Sequence, residues 1–205
     1  MDSKEFKRVY IVSRDEVPSG FTLSEGEKLD VTLVVLPGTT CEIPLRVELV
    51  GPGAEAVLRG VYLCPGEENV RIKVDMRHLS GSCTSRQLFK GVVGGKASVV
   101  FDGLIYVQEG AQKTKAYQEN HNILLSSEAR AETRPQLEIY ADDVECSHGA
   151  TVGRLSEDEL FYMRSRGIPE DLAKALQIRS FISEVVQGID DEDLREMIYD
   201  KLSQC

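Results

Sequence analysis

Between residues 28 and 146 the chain reads as a succession of β segments set apart by glycine and proline, with no helical period of useful length among them. The segments cover residues 30–36, 41–49, 54–63, 70–78, 87–93, 97–107, 113–123, 130–139 and 144–146. Turn signals lie between them, at Pro37-Gly38, Gly51-Pro52-Gly53, Pro65-Gly66 and Gly94-Gly95. Upstream, one strand is predicted over 8–12, followed by a polar turn region containing Pro18, Gly20 and Gly26. This pattern confines the body of the protein to an all-β architecture.

An internal echo narrows the choice. AEAVLRGVY at 54–62 recurs as ASVVFDGLI at 97–105 and, more weakly, as ARAETRPQL at 129–137. Spacings of this size, with small residues returning at fixed points, suggest stacked coils. In a β-helix each coil buries its inward residues against the next. A β-sandwich gives a similar strand count, so the repeat leaves both architectures open.

After Gly153 the signals turn helical. Ser156 followed by Glu159 is a capping-box pattern, and Asp158 suits the positive end of a helix. Gly167 reads as a helix stop and Pro169 as the start of the next helix. There Leu172, Ala173, Leu176, Phe181, Ile182, Val185 and Val186 approximate an apolar stripe, which Gly188 breaks. Asp190 to Asp193 then supplies an acidic first turn for a last helix carrying Leu194, Met197, Ile198 and Leu202. The chain therefore divides into a β domain, 1–153, and a small α-helical domain, 154–205. So short a helical unit has little core of its own, and is expected to dock on the β body, on a partner, or on both.

Composition excludes several functions. A net charge of −10 and a pI near 4.9 argue against nucleic acid as a partner, because phosphate binding needs clustered Lys and Arg. The densest apolar run, 31–36, is far short of the roughly 18 residues of a membrane span. The N-terminus mixes charges through its apolar residues, so no signal peptide is expected and the protein reads as cytoplasmic. Cys41, Cys64, Cys83, Cys146 and Cys205 form an odd, scattered set without a CxxC pair, which suits reduced thiols packed as small apolar residues. Cys205 has no assignable role. GVVGGKAS lacks the GxxxxGK[ST] spacing of an ATP-binding loop.

The densest chemistry lies in PQLEIYADDVECSHGATVG, 135–153, which brings Asp142, Asp143, Cys146 and His148 together. Carboxylate, thiolate and imidazole are metal ligands, and a Cys–His pair is also a nucleophile pattern. In a strand, however, Cys146 and His148 share a face while Asp143 points the other way. Four residues so spaced do not close a tetrahedral site without ligands from elsewhere. Asp142-Asp143 as a turn, with His148 an ordinary polar residue, is the plainer alternative. His78, amid charged neighbours, and His121, in the run QENHN, read as solvated or turn-capping. Arg164 and Arg166 beside Phe161 and Tyr162 suggest a partner surface.

From Arg86 onward two stretches, RQLFKGVVGGKASVVFDGLIYVQEGAQKT and NHNILLSSEARAETRPQLEIYADDVECSHGATVGRLSEDELFYMRSRGI, resemble the C-terminal half of the SufB/SufD family of the SUF iron–sulfur cluster assembly system. The pattern is SufD-like. Cys146 and His148 match the cysteine and histidine of the CSHGAT form, whereas SufB proteins have a glutamate at the position of Gly149 and a functional cysteine at that of Ala129. Relative to the family the chain is shortened at its N-terminus, so residues 1–27, a partner, or a longer parent chain is expected to cover the first coil.

The resemblance implies a right-handed parallel β-helix followed by a helical domain, acting as a non-catalytic scaffold subunit. It implies pairing with a SufB-like subunit through the β-helix, and His148, helped by Cys146, as an iron or cluster ligand at the subunit interface. The cluster would pass through, with no cofactor permanently bound. It further implies that Leu160, Phe161, Tyr162, Arg164, Arg166 and Gly167 dock a SufC-type ATPase, which owns the ATP chemistry. The alternative is a homo-oligomeric β-helix module, for example a homodimer, that binds the ATPase but has no cluster role.

Overall fold

The computed structural model describes residues 4–204. Its first part is eleven strands: β1 (Glu5–Ile11), β2 (Gly20–Leu23), β3 (Lys28–Val35), β4 (Cys41–Leu49), β5 (Glu55–Cys64), β6 (Asn69–His78), β7 (Thr84–Val93), β8 (Ser98–Val107), β9 (Thr114–Leu124), β10 (Arg130–Ile139) and β11 (Val144–Gly153). Odd strands form one sheet in the order β1-β3-β5-β7-β9-β11, and even strands a second in the order β10-β8-β6-β4-β2. Every pairing is parallel and joins strands two apart in the chain. Consecutive strands thus alternate between sheets while each coil stacks on the last. That is a parallel β-helix, and it settles the choice against an antiparallel sandwich.

Register gives the coil length. The partners Glu55, Thr84 and Lys115 are 29 and 31 residues apart, and Ser98 pairs with Arg130, 32 residues on. The stronger sequence echo is therefore not a whole coil. Residues 54–62 belong to β5 and 97–105 to β8, in opposite sheets, one and a half coils apart. The weaker echo, 97–105 with 129–137, is the true repeat. Both arise because each half coil makes the same demand, a corner that admits only a small side chain. Ala54, Ala97 and Ala129 all occupy such corners, at most 5% exposed.

Two cores follow from the two faces of the odd-numbered sheet. Inward residues such as Leu33, Leu58, Phe89, Phe101 and Ile105 fill the helix interior. On the outer face, Val34, Leu36, Val61, Leu63 and Val92 make a second cluster with the helices. Strand ends buried on both faces read as continuous apolar runs, as in LVVL and VYLC. The covering helices are α1 (Glu157–Ser165), α2 (Glu170–Val186) and α3 (Glu192–Asp200), with a 3₁₀ turn at Lys201–Gln204. α2 lies against β5 and β7 through Ile178, Ile182, Val185 and Val186.

The helix ends form as their sequences dictate. Glu159 N–H donates to Ser156 Oγ at 3.3 Å, although the Ser156 N–H goes to Gln177 Oε1 rather than to Glu159. Gly167 has φ +86°, with Ile168 N–H donating to Met163 O and Gly167 N–H to Arg164 O, a Schellman stop. The α2 stripe is rotated from the predicted one. Ile178 is buried, while Leu172 and Leu176 stand 51% and 41% exposed. Two strand boundaries also differ. The polar region after β1 contains β2, and β11 runs to Gly153 rather than ending at 146. Both owe their extended form to backbone pairing with β4 and β9, not to β-forming side chains. Cys205 lies outside the described residues.

Candidate functional site

The β10–β11 end of the solenoid is open. Among the described residues β11 pairs only with β9 and β10 only with β8, so each leaves one backbone edge without a strand. On β11 the inward positions are Val144, Cys146, His148, Ala150 and Val152, since Cys146 registers on buried Ala116 and His148 on buried Gln118. Cys146 and His148 therefore share one side of the last coil, about 6.7 Å apart along the strand at ordinary β spacing.

Cys146 is half-buried against the interior core. Burial raises its thiol above the usual range, with a smaller opposing pull from the Ala116 backbone N–H. A raised thiol is a weak nucleophile at neutral pH. His148 is exposed on the coil end. Asp142 and Asp143 form the bend between β10 and β11. Asp143 N–H donates to Gln112 Oε1 at 2.8 Å, and its carbonyl accepts from Lys113 N–H at 2.6 Å. Those bonds tie the bend to the corner before it. Among the described residues no group of three or more His, Cys, Asp and Glu side chains is placed to hold a metal ion.

The outward side of the same coil is committed to ion pairs. Glu145 accepts from Lys115 at 2.9 Å and from Tyr117 Oη at 3.0 Å, which holds its carboxyl below the usual range. His121 bonds Thr151 Oγ1 at 2.8 Å and Glu119 at 3.0 Å, so its partners are strand neighbours. His78 departs from its sequence reading. It occupies an inward position of β6, is 0% exposed, and bonds Ser85 Oγ at 2.9 Å through Nε2. Burial lowers its pKa to about 4.

Sequence reasoning missed a polar seam inside the solenoid. Gln87, Gln118, Asn120 and Asn122 are all at most 3% exposed. Gln118 Nε2 donates to Gln87 Oε1 at 2.9 Å, while Asn120, Asn122 and Tyr62 hydroxyl bond one another at 2.6–2.8 Å. The stacked inward residues of the odd sheet thus pass from Val31 to Leu58 to Gln87 to Gln118 to His148, apolar at one end and polar at the open one. The signal lay in the alternate positions of QENHN, where both parities are polar and the inward one cannot be told apart.

The second surface lies on α1. Phe161 and Tyr162 are 74% and 59% exposed, and the Arg166 guanidinium sits 5.3 Å from the Tyr162 ring centroid. Arg164 pairs with Glu170 at 3.4 Å, and Gly167 closes the helix beside it. Leu160 is 5% exposed and cannot itself meet a partner. Tyr162, Met163, Leu176 and Phe181 line a groove of about 660 Å³ where α1 meets α2.

These features define a class: a parallel β-helix with a helical arm on its flank and an open last coil lined by a thiol and an imidazole. Residues 19–181 match the family described as "SUF system FeS cluster assembly, SufBD core domain", and the chain belongs to this SufB/SufD family. It is similar to "Iron-sulfur cluster assembly protein SufD" of Escherichia coli (strain K12), 45% identical over 129 residues, 63% of this chain and 30% of that protein. It is 37% identical over 155 residues to "Protein ABCI7, chloroplastic" of Arabidopsis thaliana, 74% of this chain and 32% of that one. To "Iron-sulfur cluster assembly protein SufD" of Bacillus subtilis (strain 168) it is 33% identical over 150 residues, 73% and 34% of the two chains. The chain thus spans about a third of the length of these relatives. Among the described residues no helix is long and apolar enough to cross a membrane.

Proposed function

We propose that this chain is a non-catalytic scaffold for iron–sulfur cluster assembly in the cytoplasm. The observation that carries the reading is the open last coil, where Cys146 and His148 face inward without enough neighbouring ligands to hold a metal alone. A SufB-like subunit stacked on β10 and β11 supplies both the missing strand partners and the missing ligands. Iron or a nascent cluster is then cargo at the interface, held in passing by His148 with Cys146 beside it. Gly149 and Ala129, standing where SufB proteins carry a glutamate and a cysteine, suit the partner role.

The helical arm takes a SufC-type ATPase. Phe161, Tyr162, Arg164, Arg166 and Gly167 form the contact, and Leu160 holds the helix from beneath. ATP hydrolysis belongs wholly to that subunit.

Cluster maturation in a reconstituted complex tests the reading. His148→Ala is expected to lower maturation at least tenfold while the ATPase stays bound. Unchanged maturation with the ATPase still bound would instead support the homo-oligomeric module without a cluster role, and so refute the scaffold reading.

A further inference from the structure

We propose that α1 is a conditional element, which seats and melts as one unit while α2 and α3 stay folded, and that Gln177 is the latch holding it seated. The inference rests on the proposed ATPase docking only for the identity of the partner that α1 meets.

The helices of the arm are held very differently. α2 buries Ile178, Ile182, Val185 and Val186 in the apolar cluster it shares with the odd-numbered sheet. Of the nine residues of α1, Leu160 alone is buried, and none belongs to that cluster. Tyr162 and Met163 of α1 and Leu176 and Phe181 of α2 line a groove of about 660 Å³, so packing between the two helices is incomplete. An isolated helix shorter than about 12–15 residues is marginal in water, so α1 does not outlast the loss of its seat.

The latch comes from α2. Gln177 Oε1 accepts from Ser156 N–H at 3.1 Å, and Gln177 Nε2 donates to Ser156 O at 3.1 Å. These partners fix the orientation of the amide, because a backbone N–H can only donate and a carbonyl can only accept. Ser156 is the N-cap of α1, and its carbonyl also takes the first helical bond, from Leu160 N–H at 2.9 Å. One side chain thus ties the start of α1 to α2. At the other end the tie is an exposed ion pair, Arg164 to Glu170 at 3.4 Å, of a kind that contributes little. An element with few buried contacts and exposed hydrogen bonds opens well before the whole molecule does. α1 carries Phe161 and Tyr162, so the docking face is present only in the seated state.

The test is native-state hydrogen exchange of the full chain, free and with a SufC-type ATPase in excess. Gln177→Leu keeps the bulk of the side chain and removes both bonds. It is expected to speed exchange of the amides of residues 160–168 about tenfold, and to the same degree at both ends of α1. Amides in the middle of α2 and the urea midpoint are expected to stay unchanged. Unchanged exchange in α1, a rise confined to its first turn, or α2 amides rising in step would overturn the proposal. The ATPase is expected to slow exchange over residues 160–168. The two ideas fail separately. Concerted opening of α1 that the ATPase does not alter supports the latch and sinks ATPase docking on α1. Slowing by the ATPase, with no effect of Gln177→Leu, sinks the latch and leaves docking standing.

Discussion

Acid should destabilise this protein through one buried imidazole. His78 is 0% exposed, bonds Ser85 Oγ at 2.9 Å, and has its pKa lowered by burial from 6.5 to about 4. The unfolded chain binds that proton near pH 6.5 and the folded chain only near pH 4. Between those values the unfolded state holds more protons, so stability falls as pH falls. A gap of about 2.5 pKa steps at 1.36 kcal/mol each sets a ceiling of roughly 3 kcal/mol, with about 2 kcal/mol of it lost by pH 5. Urea unfolding at pH 7.5 and pH 5.0 measures the loss, in the unaltered chain and in His78→Leu. The substitution also strands Ser85 and carries its own cost, but that cost is the same at both pH values and cancels in the difference. The variant is expected to lose about 2 kcal/mol less between the two pH values than the unaltered chain. Equal losses in the two proteins would refute the argument that His78 is buried in its neutral form.

Other consequences are simpler. Gly103→Ala drives a methyl into the buried amide of Gln118 and is expected to destabilise by about 1–3 kcal/mol in urea unfolding. A change below 0.3 kcal/mol would mean the amide moves freely, on the scale of ordinary surface substitutions of about 0.5 kcal/mol. Phe161→Ala removes a large apolar side chain that is 74% exposed, and is expected to weaken ATPase binding about 10–100-fold by calorimetry, leaving the urea midpoint unchanged. Ser156→Ala deletes the α1 cap and is expected to cost about 1 kcal/mol, read as lost protection of α1 amides in hydrogen exchange.

The parts of this fold that were legible in the sequence are those with local causes. Gly and Pro punctuation located most strands, and Ser156 and Gly167 marked helix ends that form through their own hydrogen bonds. What was not legible depends on stacking. The half-coil echo looked like a repeat because every corner selects a small residue, whichever sheet follows. β2 and the end of β11 are extended by partners elsewhere in the chain. His78 looked solvent-facing because its charged neighbours hide the parity that turns it inward. At the site, the shared side of Cys146 and His148 followed from strand spacing. The polar seam behind them, and the burial of Leu160, required the coils to be placed on one another.

Paired binding measurements test whether two separate surfaces serve two separate partners. Val152 lies at an inward position of the open coil and is 44% exposed, so Val152→Lys sets a charge on the strand-pairing end without disturbing α1. Co-purification with a SufB-type subunit and a SufC-type ATPase is then compared for the full chain, Val152→Lys and Phe161→Ala. The full chain is expected to hold both partners, Val152→Lys to lose only the SufB-type subunit, and Phe161→Ala to lose only the ATPase. A full chain that binds neither, or either variant losing the other's partner, would contradict that division.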